Sequence, residues 1–205
     1  MPQRSDDRAL EGPQVADHIL PDLLAPGLRV VFCGTAAGDE SARIGAPYAG
    51  PGNRFWWVLH EVGLTPRILQ PVEFRELLDL GIGLTDVAKH AVGRDSALVA
   101  ADFDGAAVIE KVERFEPGAL AFVGKRAALE VLGGSPDYGR QVPTIGSSAV
   151  WVLPSTSGAA RGSWDIGPWQ DLAAAISDER RPGIPRTSSH PPRSSVRPSH
   201  PRGRG

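Results

Sequence analysis

The sequence predicts an α/β protein, a three-layer arrangement in which a mainly parallel sheet lies between helices. Short apolar runs of strand length, rich in β-branched residues, occur at 28–33, 119–123 and 149–153. Segments with apolar residues at helical spacing alternate with them, at 54–62, 71–80, 103–115, 126–132 and 168–176. Glycine- or proline-containing turns close the strands at once, as in parallel sheets with helical crossovers. The chain has 205 residues, 41% of them hydrophobic, enough for the core of one domain with some chain to spare.

Taken in order, residues 1–27 are polar with scattered proline and read as a flexible lead-in. Residues 28–33, LRVVFC, form a buried strand, and the glycine-bracketed turn Gly34-Thr35-Ala36-Ala37-Gly38 follows, then a long polar loop to residue 52. Asn53 is placed as an N-cap for a helix over 54–62 that Gly63 closes, with Phe55, Val58, Leu59 and Val62 on its core face. A second helix spans 71–80, and residues 81–87, GIGLTDV, form a short extended segment with Asp86 near its end. The helix over 103–115 is amphipathic through Val108, Ile109 and Val112, and Glu116-Pro117-Gly118 stops it. After the strand at 119–123 come a turn at Gly124 and a helix over 126–132. The strand at 149–153 ends at Pro154, and a small polar loop covers 155–162. Beyond a last helix at 168–176, residues 178–205 turn to Pro, Ser, Arg and His, a composition that cannot bury enough apolar surface to fold.

Charge and composition exclude several classes. The net charge of −2 conceals an asymmetry: seven arginines and no acid follow Glu179, leaving 15 basic against 24 acidic residues up to and including it. An acidic body is not the footprint of a protein that wraps DNA electrostatically. The basic tail is expected either to add salt-sensitive phosphate attraction or to be a dispensable extension. Cys33 is the single cysteine, which rules out an internal disulfide, fits a reducing cytoplasm and reads as a buried structural thiol. No apolar run approaches the ~18 residues of a membrane span, and the N-terminus has no apolar signal region. His60 and His90 lack partners at metal spacing, so neither a metal nor a cofactor is expected. The turn GTAAG lacks the lysine of a phosphate loop.

In an open sheet, ligands bind beyond the carboxyl ends of the strands. Two loops leave such ends, 34–52 with Asp39, Glu40, Arg43 and Tyr48, and 155–162 with Ser155, Ser157 and Arg161. Asp86 closes a third extended segment. Each also has an ordinary structural reading: Asp39 and Glu40 as solvated charges, Asp86 as a turn or capping residue, Tyr48 as packing and Arg161 as a surface cation.

The segments VVFCGTAAG, APYAGPGNRFWWVL, GIGLTD and PTIGSSAVWVLPSTSGAAR, in this order and separation, resemble the mismatch-specific uracil-DNA glycosylase and thymine-DNA glycosylase family. The resemblance covers residues 28–176, within a domain set at 28–177. It implies a uracil-DNA glycosylase fold with a central, mainly parallel sheet of four strands. It also implies a monofunctional, monomeric enzyme that needs no metal. Its partner would be double-stranded DNA carrying G·U or related mismatches, from which it flips a base and hydrolyses the N-glycosidic bond, starting base excision repair.

Residue by residue, the resemblance implies a base pocket of Gly34, Thr35, Ala36, Gly38, Tyr48 and Ser155, with Tyr48 as the stacking surface. Base–aromatic stacking contributes about 1–3 kcal/mol. It implies DNA contacts from Ser157, Gly158, Ala159 and Arg161, where Ala159 replaces the family's bulky wedge. The first turn departs further, because Ala36 stands where the family has an asparagine that positions the attacking water. A methyl group cannot orient water, so the chemistry is expected to come from another residue. Asp86 is the first candidate, as a strand-end group is better fixed than a loop, and Asp39 is the second. The alternatives are a DNA-damage binding module that has lost catalysis, or a nucleoside-binding enzyme on a Rossmann-like sheet.

Overall fold

The computed structural model describes residues 18–158 and 164–178. The parts of the expectation that fall on the lead-in before residue 18, on Ala159 and Arg161, and on the tail after residue 178 lie outside the described residues. Strand β1 (Val30–Ala37) pairs in parallel with β2 (Ile82–Val92) on one side and with β3 (Ala119–Val123) on the other. Beyond β3 lies β5 (Ser148–Leu153), also parallel, and at the edge β4 (Gly139–Ile145) runs antiparallel to it. The order is β2-β1-β3-β5-β4.

Alternation along the strands divides the core in two, because successive side chains point to opposite faces. Val30, Phe32, Leu84, Ala121 and Leu153 face one layer built from α2 (Phe55–Glu61), the 3₁₀ turn Pro71–Leu77 and α5 (Gly167–Asp178). Val31, Cys33, Leu120, Phe122 and Val152 face the other, built from α3 (Gly105–Phe115) and α4 (Lys125–Leu132). Trp169 of α5 is completely buried on the first side and stacks on Phe32 at 5.5 Å. The α/β expectation holds, with a helical layer on each face and five strands where four were expected.

The differences have local causes. β4 escapes the sequence pattern because it is mostly exposed, carries Pro143 and is bulged between Arg140 and Thr144. Edge strands tolerate these features because one side makes no ladder. The expected turn at 34–38 is strand up to Ala37, and residues in the expected polar loop form the short helix α1 (Asp39–Ile44), ended by Gly45 at φ 68°. The expected helix over 71–80 is 3₁₀ from Pro71 to Leu77. The N-cap of α2 is Arg54 rather than the expected Asn53, which lies one residue earlier and whose Oδ1 accepts the Phe55 N–H at 3.0 Å.

The largest correction concerns the lead-in, whose last ten residues belong to the domain. Leu20 and Leu23 are buried, and Leu23 forms an antiparallel bridge with Leu84 through two backbone hydrogen bonds of 2.9 Å. Ile19 N–H donates to the Lys89 carbonyl at 2.9 Å. The segment caps the free edge of β2, a placement with no signature in its own short, irregular sequence. Replacing Leu23 by Ala is expected to destabilise the domain by about 2–5 kcal/mol, the usual cost of a buried leucine truncation. Urea unfolding at neutral pH measures it; a change below about 0.5 kcal/mol, the size of an ordinary surface substitution, would show that the segment is not part of the core.

Candidate active site

The carboxyl ends of β1 and β3, together with the residues following β5, open onto a cleft of about 970 Å³. Its wall is the end of β1, from Gly34 through Thr35 and Ala36, continued by Gly38 and Asp39. Tyr48, Asp86, Ser157 and Gly158 also line it. Of the residues expected to converge, these nine do, and Glu40 lines the cleft with them. Ser155 does not line the cleft; its Oγ accepts the Ser157 N–H at 3.3 Å, and the buried Thr156 lines the cleft in its place. The lining also includes Asn53 and the exposed rim of Arg94, Asp95 and Ser96 after β2, which the sequence reading passed over.

Asp86 lies in the middle of an 11-residue strand, not near the end of a short one, and is in register with Gly34. On neighbouring parallel strands, residues in register project to the same face. A Cβ at Gly34 would lie 2.4 Å from Asp86 Oδ1 and 3.1 Å from the Tyr48 hydroxyl. The carboxylate and the phenol therefore converge over the bare backbone of Gly34. Only glycine leaves that space.

Asp86 is titrated upward. Burial is the main cause and the charge of Asp22 adds to it, while Lys89 and Lys111 pull the other way. Burial and the same carboxylate also push the Tyr48 phenol well up, so it stays protonated at neutral pH. Asp39, by contrast, is exposed on the first turn of α1. Glu40 and Arg43 of that helix pair with each other at 2.6 Å on the surface.

Tyr48 is held in a conformation that bulky residues rarely adopt, with φ at 54°. Both neighbours are pinned: Trp56 Nε1 donates to the Pro47 carbonyl at 3.2 Å, and the Ala49 N–H donates to the buried Ser41 Oγ at 3.0 Å. Its ring stacks on Phe55 at 3.8 Å and 14°. Its hydroxyl is buried and has no hydrogen-bond partner among the described residues. A non-glycine residue kept at positive φ with a buried polar end is the kind of strain found at ligand sites. A further pocket of about 10 Å³, room for about one water, borders Tyr48, Thr85 and Asp86.

The second loop is fastened from behind. Trp169 Nε1 donates to the Pro154 carbonyl at 3.1 Å, and the Arg54 N–H donates to the Thr156 carbonyl at 2.9 Å. A Cβ at Gly158 would lie 2.9 Å from the Pro51 carbonyl, so the two loops meet backbone to backbone. This contact fixes both sides of the cleft relative to each other.

A family model for the uracil DNA glycosylase superfamily matches residues 21–174, from the segment at the edge of β2 into α5. The chain belongs to the uracil DNA glycosylase superfamily. Among solved structures it resembles the solution NMR structure of a candidate uracil DNA glycosylase from Methanosarcina acetivorans. The two are 25% identical with a TM-score of 0.53, over 77% of this chain and 96% of that one.

The upward titration of Asp86 has a consequence for stability. A carboxyl that holds its proton more tightly when folded lowers stability as pH rises from the unfolded-state value through the folded one. Asp86→Asn is therefore expected to melt higher than the wild-type protein at pH 8, with the difference vanishing below about pH 4. Thermal unfolding across that range checks this, and a lower melting temperature at pH 8 would contradict the burial account.

Proposed function

We propose that this protein is a DNA glycosylase that removes uracil from DNA by hydrolysis, with Asp86 as its general base. The observation that carries the reading is the Asp86 carboxylate, seated over Gly34 at the strand-end cleft and titrated upward by burial. A base works best when its pKa lies near the working pH, and burial moves a carboxylate in that direction. Ala36 lines the same cleft at the position where the resembling family carries its water-positioning asparagine.

In this mechanism the target nucleotide leaves the duplex and its base enters the cleft against Tyr48, whose ring plane is set by Phe55. Water attacks C1′ of the sugar and gives its proton to Asp86, while the N-glycosidic electron pair leaves with the uracil. The negative carboxylate also favours the cationic sugar that develops in the transition state. The loop of Thr156, Ser157 and Gly158 faces the strand that has lost its base. Mismatched pairs are the preferred substrates because unstacking costs least there. The protein acts as a monomer and needs no metal or cofactor.

Ala36 also favours a second reading, in which catalysis has been lost and the cleft only binds damaged DNA. Single-turnover uracil release from a G·U duplex separates the two. The wild-type protein should generate abasic sites; Asp86→Asn should lose about 10²–10⁴-fold in rate, while Asp39→Asn should stay within about threefold. Tight binding without abasic product would favour the binding reading, and an Asp86→Asn rate near wild type would remove Asp86 as the base. Comparing G·U, A·U, G·T and single-stranded uracil tests the mismatch preference, which requires G·U to exceed A·U.

A further inference from the structure

Regular alternation along β2 sends residues 86 and 89 to opposite faces of the sheet. The pairing with β1 breaks that regularity, because Ala36 pairs with Ala88 but Ala37 pairs with Val92. The intervening residues of β2 bulge out, and the Ile19 N–H holds the bulge by its Lys89 carbonyl. Bulges next to functional sites re-aim side chains. Lys89 Nζ, on a side chain only 7% exposed and beside this bulge, lies 3.8 Å from Asp86 Oδ2.

Lys89 is held on its other side by Asp22, whose Oδ1 lies 3.0 Å from Nζ. Asp22 is in turn fixed by Lys111 of α3 at 2.7 Å and by the Thr85 hydroxyl, which donates at 2.7 Å. Burial pushes the Asp22 carboxyl up, but Lys89, Lys111 and Thr85 outweigh it and hold it low, so Asp22 is negative at neutral pH. Among the described residues Lys89 Nζ has no well-directed hydrogen-bond partner, so charge rather than geometry holds it between the two carboxylates. The other groups around Asp86 are Cys33 of β1 and Tyr48, both kept protonated by burial. His18 lies beside the same cluster, and burial and Lys89 lower its titration.

We propose that Lys89 is a positioning residue for the Asp86 carboxylate, placed by the β2 bulge to hold it ionised, and that Asp22 moderates Lys89 by sharing its charge. The arrangement is a balance. Lys89 pulls the Asp86 titration down, which weakens it as a base, while burial pushes it up. Asp22 sits between these effects because it both neutralises the lysine and repels Asp86. The segment bearing Asp22 and Ile19 thus does more than cover the sheet edge. The role of this pair rests on the reading of Asp86 as the base, but its effect on Asp86 does not.

The test reads Asp86 directly, by the pH titration of its side-chain carboxyl carbon in ¹³C NMR spectra of the full chain. Lys89→Met should raise the midpoint by about one pH unit or more, the effect of removing an opposite charge at this distance. Lys89→Arg should stay near wild type. Asp22→Asn, which keeps the volume and can still accept the Thr85 hydroxyl, should lower the midpoint. Opposite shifts from two neighbouring substitutions are not expected of a merely structural pair. Should Lys89→Met fail to fold, the sign of the Asp22→Asn shift decides alone. A midpoint unchanged in Lys89→Met, or raised in Asp22→Asn, overturns the proposal. The acid limb of uracil release should follow the same shifts. Carboxyl midpoints that move while that limb stays fixed would sustain the charge pair and refute Asp86 as the base.

Discussion

Asp86 and Gly34 occupy adjacent positions on neighbouring parallel strands, and the carboxylate fills the space that a side chain at Gly34 would need. This exclusion determines the rest of the site. It brings an ionisable group to the mouth of the sheet without moving either strand, and it brings the Tyr48 hydroxyl to the same place. A loop residue such as Asp39 has no comparable constraint on its position. Rigid strands give a reactive group a fixed location more cheaply than loops do, because the backbone ladder is already ordered.

The groups that meet over Gly34 are each held by structure outside the cleft. Tyr48 keeps its left-handed backbone because Trp56 and Ser41 bind the residues on either side. The loop after β5 keeps its place through Trp169, which is also a centrepiece of the core. Asp86 has its charge balanced by Lys89, Lys111 and Asp22, which come from the bulge, from α3 and from the chain ahead of β1. Stability and site geometry are therefore coupled. The same burial that raises the Asp86 carboxyl toward neutrality makes its ionised form costly to the fold, the usual tension between activity and stability.

The acidic body agrees with this picture of a local site. The cleft wall carries Asp39, Glu40, Asp86 and Asp95, with Arg94 as a basic residue on its rim. A surface of this kind does not attract phosphates over a broad face.

Local patterns were sufficient for much of the architecture. Periodicity located β3 to the residue and the other central elements closely, since buried parallel strands and amphipathic helices write their environment into a few consecutive residues. The ordered motifs marked the uracil DNA glycosylase superfamily, which the family match shows, while the mismatch-specific branch stays a proposal. The sequence also marked Ala36 as a departure and Asp86 as the acid to examine. It did not reveal β4, the short helix α1, the covering role of residues 18–27, or Lys89 and Asp22 as neighbours of Asp86. Those features depend on a strand edge, a bulge and ion pairs of Asp22 with Lys89, 67 positions away, and with Lys111, 89 positions away. Asp22 and Thr85 lie far apart along the chain, and no periodicity links them. Only the packed sheet makes them one cluster, because side-chain direction across a bulge is decided by the partner strand rather than by the sequence that bulges.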